Sequence, residues 1–129
     1  MKILHSILYV DDEDDIREIV ELSLRLDGGL DVAVCDSGSA ALAYLEMRIP
    51  DLVVLDVMMP GLDGPGTLAR IRERPECADV PVVFLTAKAQ REEMDRFLAL
   101  GAIGVIAKPF DPMTLAQQLR DIWNAFYPD

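Results

Sequence analysis

The chain has 129 residues, of which 51% are apolar and 27% charged, so it is long enough for one domain with a sizeable core. Its net charge of −11 disfavours direct binding to DNA, RNA or an anionic membrane surface, because each of these would repel it. The two cysteines, Cys35 and Cys77, are too few for a disulfide framework or a zinc site. No apolar run approaches the roughly 20 residues that span a bilayer, and the first residues lack a signal-peptide pattern, so a cytoplasmic protein is expected.

Five short apolar runs recur along the chain, and none of them alternates apolar with polar residues. Continuous runs of this length, rich in β-branched residues, are typical of strands that are covered on both faces of a parallel sheet. In chain order the runs occupy residues 7–10, 32–35, 52–55, 82–85 and 105–107.

Apolar residues at helical spacing follow each run. Ser37 is placed to cap the second helix and Pro65 suits the first turn of the third, whereas the start of the fourth carries no clear signal. The aromatic and methionine residues on these helices are expected in the core. The positions that mark the five helices are Ile16, Ile19, Val20 and Leu24; Ala41, Leu42 and Leu45; Leu68 and Ile71; Met94, Phe97 and Leu98; and Leu115, Leu119, Ile122, Trp123 and Phe126.

The predicted order is therefore strand then helix, five times over, in a single domain covering residues 1–129. Right-handed crossovers place helices on both faces of a parallel sheet. The pattern predicts an α/β sandwich of three layers, with no linker, repeat or second domain.

Polar residues cluster where the predicted strands end, and ligands of open α/β sheets bind at that edge. Asp11 and Asp12 follow the first run, and Asp56, Thr86 and Lys108 stand at or after the ends of the third, fourth and fifth. Three carboxylates brought together repel one another unless a cation lies between them, and such oxygen ligands suit Mg²⁺. A carboxylate can also be a phosphoryl acceptor, with an ammonium group and a hydroxyl neutralising the phosphoryl oxygens.

A helix cap is the alternative interpretation for part of the acidic run. Glu13, Asp14 and Asp15 could equally open a helix, where acids favour the helix dipole. Asp56 directly follows a buried run and is harder to explain as a cap. The single histidine, His5, is expected to have no catalytic role.

At these residues the sequence resembles the receiver domain of bacterial two-component response regulators. The resemblance extends from about Ser6 to Tyr127 and implies a flavodoxin-like (βα)5 fold with strand order 2-1-3-4-5. The matching motifs are Val10-Asp11-Asp12-Glu13, Leu55-Asp56-Val57-Met58-Met59-Pro60-Gly61-Leu62-Asp63-Gly64, Leu85-Thr86-Ala87 and Lys108-Pro109-Phe110.

The resemblance implies a role for each matched residue. Asp56 would be the phosphoacceptor, and Thr86 and Lys108 would bind the phosphoryl group. The Mg²⁺ site would consist of Asp11, Asp12, Asp56 and the backbone carbonyl of Met58, with Asp12 the more direct ligand of the acidic pair. Ala87 would leave the site accessible, and the Lys108–Pro109 peptide bond would be cis.

The resemblance also implies the protein's partners and the kind of activity it has. A histidine kinase or histidine phosphotransfer protein would supply the phosphoryl group, and a protein target would receive the signal, with neither nucleic acid nor membrane as partner. The chain would catalyse only its own phosphorylation and dephosphorylation. We expect a stand-alone regulator that is a monomer or a weak dimer.

One departure from the family pattern concerns the output step. The family usually has Tyr or Phe three residues before the lysine, and here that position is Val105. The usual coupled rotation of a hydroxyl and a ring is therefore not expected. The neighbouring stretch 102–104 is also more apolar than is usual in the family, which suggests an unusual contact face.

Three alternatives remain open on the sequence. A metal-dependent phosphatase with an aspartyl nucleophile usually has a second aspartate two residues on, where this chain has Met58. A flavin carrier of similar topology needs a phosphate loop after the first strand, and Asp11 and Asp12 would repel a phosphate there. A non-phosphorylated interaction module conflicts with the intact acidic set, although Val105 is compatible with it.

Overall fold

In the computed structural model, which describes residues 2–128, five strands alternate with five helices. The predicted order of elements is confirmed, and each strand extends the apolar run by at most one residue at either end. The elements are β1 Ser6–Val10, α1 Asp14–Leu26, β2 Asp31–Cys35, α2 Gly38–Met47, β3 Leu52–Asp56, α3 Gly64–Arg72, β4 Val82–Thr86, α4 Arg91–Ala99, β5 Gly104–Ala107 and α5 Pro112–Phe126.

The strands form one parallel sheet in the order β2-β1-β3-β4-β5, as the resemblance implied. Successive side chains of a strand point to opposite faces, and this divides the core into two clusters. In β3, Val53 and Leu55 pack with residues of α2, α3 and α4, whereas Leu52 and Val54 pack with residues of α1 and α5. Because both faces are covered, β3 and β4 are buried along their whole length, which explains their uninterrupted apolar sequence.

Local signals account for most helix starts. The Ser37 hydroxyl accepts a hydrogen bond from the N–H of Ala40 at 3.0 Å, so the predicted cap of α2 is confirmed. Pro65 lies in the first turn of α3 as predicted, after the capping side chain of Asp63. The residue before α4, Gln90, makes no side-chain capping bond, which is why the sequence does not signal where that helix begins.

The expected burial of the aromatic and methionine residues is wrong at the ends of the helices. Trp123 and Phe97 are buried, but Phe126, Met47 and Met113 are more than half exposed because they lie in the last or first turn of their helices. Helical spacing identifies the residues of a stripe but not how far along the helix the stripe stays covered. Cys77 lies in the polar connection before β4, yet it is buried.

A close approach between α3 and β3 fixes the surroundings of the third strand's end. A Cβ atom on Gly64 would come within 2.6 Å of the carbonyl oxygen of Asp56, so only glycine fits there. The N–H of Gly64 also donates to the carbonyl of Val57 at 3.0 Å. None of the helices in the described part of the chain combines the length and the apolar character needed to cross a membrane.

Candidate functional site

Three carboxylates converge at the carboxyl edge of the sheet. β1 and β3 are neighbours with Val10 opposite Leu55, so Asp11 and Asp56 leave the sheet side by side. Asp11 and Asp56 are buried, and Asp12 is the most accessible of the three. One oxygen from each of the three carboxylates lies within 4.8 Å of the others. The structure therefore brings together the acidic set that the sequence places at the strand ends.

Lys108 supplies a cation to this cluster. Its Nζ lies 2.9 Å from Oδ2 of Asp56, 3.6 Å from Oδ2 of Asp11 and 3.7 Å from Oε1 of Glu13. Its backbone N–H donates to the carbonyl of Thr86 at 2.7 Å, and its peptide bond to Pro109 is cis as the resemblance implied. The three side-chain contacts place the ammonium group of Lys108 beside the carboxylate cluster.

Burial and charge shift the pKa values of the central pair. Burial raises the pKa of Asp56 and the charge of Asp11 adds to the rise, although the hydrogen bond from Lys108 opposes it. Burial alone would lower the pKa of Lys108, but its contacts with Asp56, Asp11 and Glu13 prevail and raise it. Lys108 is therefore charged at neutral pH, and a single ammonium group faces more than one carboxylate.

Asp11 is held on three sides. The phenol of Tyr9 donates to its Oδ2 at 2.8 Å, and the N–H of Glu13 donates to its Oδ1 at 3.0 Å. The guanidinium of Arg17 donates to its backbone carbonyl at 2.9 Å. Burial, together with the charge of Asp11, raises the pKa of Tyr9 well above its ordinary value, so this phenol stays protonated.

The role of Tyr9 is absent from the sequence interpretation, which treats it only as part of an apolar run. The signal that could have revealed it is the spacing of two, because residues i and i+2 of a strand share one face. Glu13 is a second omission from the predicted site, since its side chain also approaches Lys108.

Thr86 and Met58 lie beside the cluster, where the Thr86 hydroxyl is bound to Lys88 and the Met58 backbone contacts Asp56. The buried hydroxyl of Thr86 accepts from the N–H of Lys88 at 3.0 Å and donates to the Lys88 carbonyl at 3.4 Å. The N–H of Met58 donates to Oδ1 of Asp56 at 3.3 Å, while the Met58 side chain is 76% exposed. The hydroxyl must leave Lys88 before it can bind anything attached to Asp56.

Two open cavities flank Ala87, which is itself exposed. One, of about 290 Å³, is lined by residues that include Lys108 and Phe110. The other, of about 360 Å³, is lined by residues that include Met58 and Thr86. The small side chain at position 87 leaves the strand ends open to a substrate group or a partner from outside.

The donor set fits Mg²⁺. Carboxylate oxygens are hard ligands, and the few on offer leave coordination positions for waters and for a phosphoryl oxygen. The same carboxylates would repel the phosphate of a flavin. The exposed thioether of Met58 cannot act as the second acid of an aspartyl phosphatase. The geometry therefore fits metal-assisted phosphoryl transfer onto a carboxylate, and it lacks both the second acid of an aspartyl phosphatase and a phosphate site for a flavin.

Comparisons with known proteins agree on one family. Residues 7–120 match the response regulator receiver domain family. An uncharacterized 14.6 kDa protein of Leptolyngbya boryana is 37% identical over 124 residues, which cover 96% of this chain and 94% of that protein. The solved structure of the chemotaxis response regulator CheY4 of Vibrio cholerae superposes with a TM-score of 0.84 at 31% identity, covering 92% of this chain and 98% of that one.

Longer relatives match only in part. The transcriptional regulatory protein CseB of Streptomyces avermitilis is 38% identical over 120 residues, which are 93% of this chain but 49% of that protein. This chain thus spans about half the length of that regulator.

Proposed function

The chain belongs to the response regulator receiver domain family, and from that premise we propose that Asp56 is the residue that takes up the phosphoryl group. Receiver domains of two-component systems are phosphorylation-dependent signalling modules, and histidine kinases or phosphotransfer proteins phosphorylate them. The observation that carries the proposal is the position of Asp56. Its buried carboxylate ends the central strand, 2.9 Å from Lys108 and among two further carboxylates.

The chemistry that this arrangement supports is acyl phosphate formation. A carboxylate oxygen of Asp56 attacks the phosphorus, the bond from phosphorus to the partner's histidine nitrogen breaks, and the imidazole departs with its electron pair. Lys108 lies close enough to move from Oδ2 of Asp56 to a phosphoryl oxygen. The Met58 N–H orients Oδ1. In the return reaction water attacks the phosphorus, which releases inorganic phosphate and restores the carboxylate.

We propose that Asp11, Asp12, Asp56 and the backbone carbonyl of Met58 hold Mg²⁺, with Asp12 the more direct ligand of the acidic pair. The cation would supply positive charge against the phosphoryl oxygens, which is the main requirement of phosphoryl transfer. The excess of carboxylates over ammonium groups supports a bound divalent cation. In this proposal the chain catalyses its own phosphorylation and dephosphorylation and acts on no other substrate.

The direct test is the substitution Asp56→Asn, which removes the anionic nucleophile but preserves the shape of the side chain. Incubation with Mg²⁺ and acetyl phosphate, or with a histidine kinase and ATP, should add one phosphoryl group to the unaltered protein and none to the variant. The label is read by intact-protein mass spectrometry and by its loss in alkali. Asp15→Asn, an exposed acid in the first turn of α1, is the matched control and should label normally. Unchanged labelling of the Asp56 variant would falsify the assignment.

The cytoplasmic location and the monomeric or weakly dimeric state stay predictions. Cell fractionation and sedimentation velocity would test them.

A further inference from the structure

Tyr9 carries a hydroxyl into the middle of the sheet. Its side chain is fully buried in the core cluster under α1 and α5, between Val34 of β2 and Val54 of β3. These two cross-strand neighbours are valines, which offer the hydroxyl no side-chain polar atom. A hydroxyl placed there must find an acceptor, and it donates to Oδ2 of Asp11 at 2.8 Å.

This contact gives each oxygen of Asp11 its own donor. Oδ1 accepts from the N–H of Glu13, and Oδ2 accepts from Tyr9. Two bonds on opposite oxygens fix the rotation of the carboxylate. Asp11 is thereby held with Oδ2 facing Lys108, but at 3.6 Å, a longer distance than the 2.9 Å between Lys108 and Asp56.

We infer that Tyr9 is a positioning residue of the metal and phosphoryl site. It orients Asp11 for the divalent cation and keeps the ammonium group of Lys108 paired with Asp56. The inference rests on the proposed function of that site. The phenol is a neutral donor, so it satisfies Oδ2 without cancelling the negative charge that attracts the cation. Without the phenol, the nearest donor to that oxygen is the Lys108 ammonium, which would compete directly with the metal.

Tyr9→Phe isolates the hydroxyl, because it keeps the ring that fills the core. Hydrogen-bonding partners of metal-binding side chains typically contribute roughly 10- to 100-fold in metal affinity. We therefore expect Tyr9→Phe to weaken Mg²⁺ binding about tenfold in isothermal titration calorimetry. Tyr44→Phe is the matched control, since Tyr44 lies on α2 and packs on the other core cluster. It should bind Mg²⁺ as the unaltered protein does.

A double-mutant cycle separates positioning from a general loss of packing. In the Asp11→Asn background, Tyr9→Phe should change the Mg²⁺ affinity by less than twofold, because the carboxylate on which the phenol acts is absent. Equal effects in both backgrounds would overturn the inference. So would Mg²⁺ affinity in Tyr9→Phe that matches or exceeds the affinity of the unaltered protein.

An optical measurement on the unaltered protein tests the same contact, and the two variants assign its signal. Mg²⁺ binding beside Asp11 should perturb the near-ultraviolet absorption of the buried phenol, giving a tyrosine difference spectrum in the unaltered protein and in Tyr44→Phe but not in Tyr9→Phe. A Mg²⁺ titration that saturates without any tyrosine signal contradicts the inference. Failure of the proposed function has a different signature: the unaltered protein would then neither bind Mg²⁺ nor label at Asp56.

Discussion

Asp56 carries a charge that costs stability whenever no cation is bound. Burial raises its pKa, Asp11 adds to the rise, and Lys108 only partly compensates. A raised carboxylate pKa means that the folded state holds the proton more tightly than the unfolded chain does. The contribution of Asp56 to stability is therefore fully present below the ordinary carboxyl pKa of about 4, and it is lost as the pH rises through the folded pKa.

Asp56→Asn should consequently stabilise the metal-free protein at pH 7. We expect the free energy of unfolding to rise by about 1 kcal/mol, which corresponds to roughly 4 °C in Tm for a domain of this size. Thermal unfolding in EDTA measures this, with Asp15→Asn as the surface control. Saturating Mg²⁺ should reduce the difference, because the cation stabilises the carboxylate more than the amide. A variant less stable than the unaltered protein in EDTA would show that the Lys108 contact outweighs burial.

Substitution of Asp12 or Asp15 tests which acid near the start of α1 binds the metal. Both are acids near the start of α1, but only Asp12 lies within 4.8 Å of the carboxylates of Asp11 and Asp56. Asp12→Asn should weaken Mg²⁺ binding at least about tenfold and stop labelling by acetyl phosphate, whereas Asp15→Asn should change neither. Calorimetric titration with Mg²⁺ and labelling in EDTA are the measurements. Labelling that continues at full rate in EDTA would rule out the metal's role.

Helices α1 and α5 are joined by an ion pair that compensates an unfavourable helix end. Asp27 follows the last turn of α1, where the negative end of the helix dipole disfavours an acid. Its Oδ1 lies 2.5 Å from Nη2 of Arg120 on α5. The hydrogen bond from Arg120 lowers the pKa of Asp27. The pair therefore stabilises the fold above the ordinary carboxyl pKa and is lost as the pH falls through the lowered value.

Asp27→Asn should reduce the free energy of unfolding at pH 7 by about 0.5–1 kcal/mol, no more, because the pair is partly open to solvent, which screens it. The loss should shrink as the pH falls below about 4. Urea unfolding at successive pH values measures it. Asp121→Asn is the control on α5, where an exposed acid accepts from Gln117 within the helix. A deficit that stays constant down to the acid transition would contradict the ionic origin.

The strands and the strand-end site were predictable for one physical reason. A strand covered on both faces must be apolar along its whole length. The polar residues Asp56 and Thr86 are therefore conspicuous where β3 and β4 end. Contacts within the site were less accessible to sequence reasoning. The Thr86 hydroxyl is bound by the backbone of Lys88, and no side-chain pattern encodes a backbone partner. Tyr9 resembles any other strand residue until its two-residue spacing from Asp11 is considered.

The predicted burial of helical residues failed where helices end. Phe126 and Met113 lie in the last and first turns of α5, and both are exposed although Trp123 between them is buried. Periodicity describes direction around a helix axis, whereas burial also depends on how far the sheet extends beneath it. The sheet edge, which sequence does not reveal, sets that limit.

Across the fold, α4 is the helix with the weakest attachment. Phe97 is its one buried residue, it begins without a side-chain cap, and it follows the short loop that contains Lys88 and joins it to Thr86 at the end of β4. The ring of Phe97 packs on Phe84 with centroids 5.1 Å apart, and Phe84 lies opposite Val105 of β5. A segment with few buried contacts moves at low free-energy cost. We therefore expect a movement of Thr86 to displace α4, through the Lys88 loop.

Phosphorylation should be transmitted to a partner by movement of the backbone from Thr86 to about Arg96. A phosphoryl group on Asp56 would draw the Thr86 hydroxyl away from Lys88, because a charged acceptor makes the stronger hydrogen bond. Val105 has no ring to fill the space that Thr86 leaves, and its branched side chain is stiff, so the backbone must move instead. Amide hydrogen exchange, compared with and without acetyl phosphate in Mg²⁺, should therefore change over residues 86–96 and near Ile103.

Val105→Tyr should leave labelling of Asp56 nearly intact but alter partner binding and that exchange pattern, with Val105→Ile as the control. Exchange that changes only around the carboxylates, with no effect after Thr86, would mean that the domain stores or relays the phosphoryl group without a conformational output.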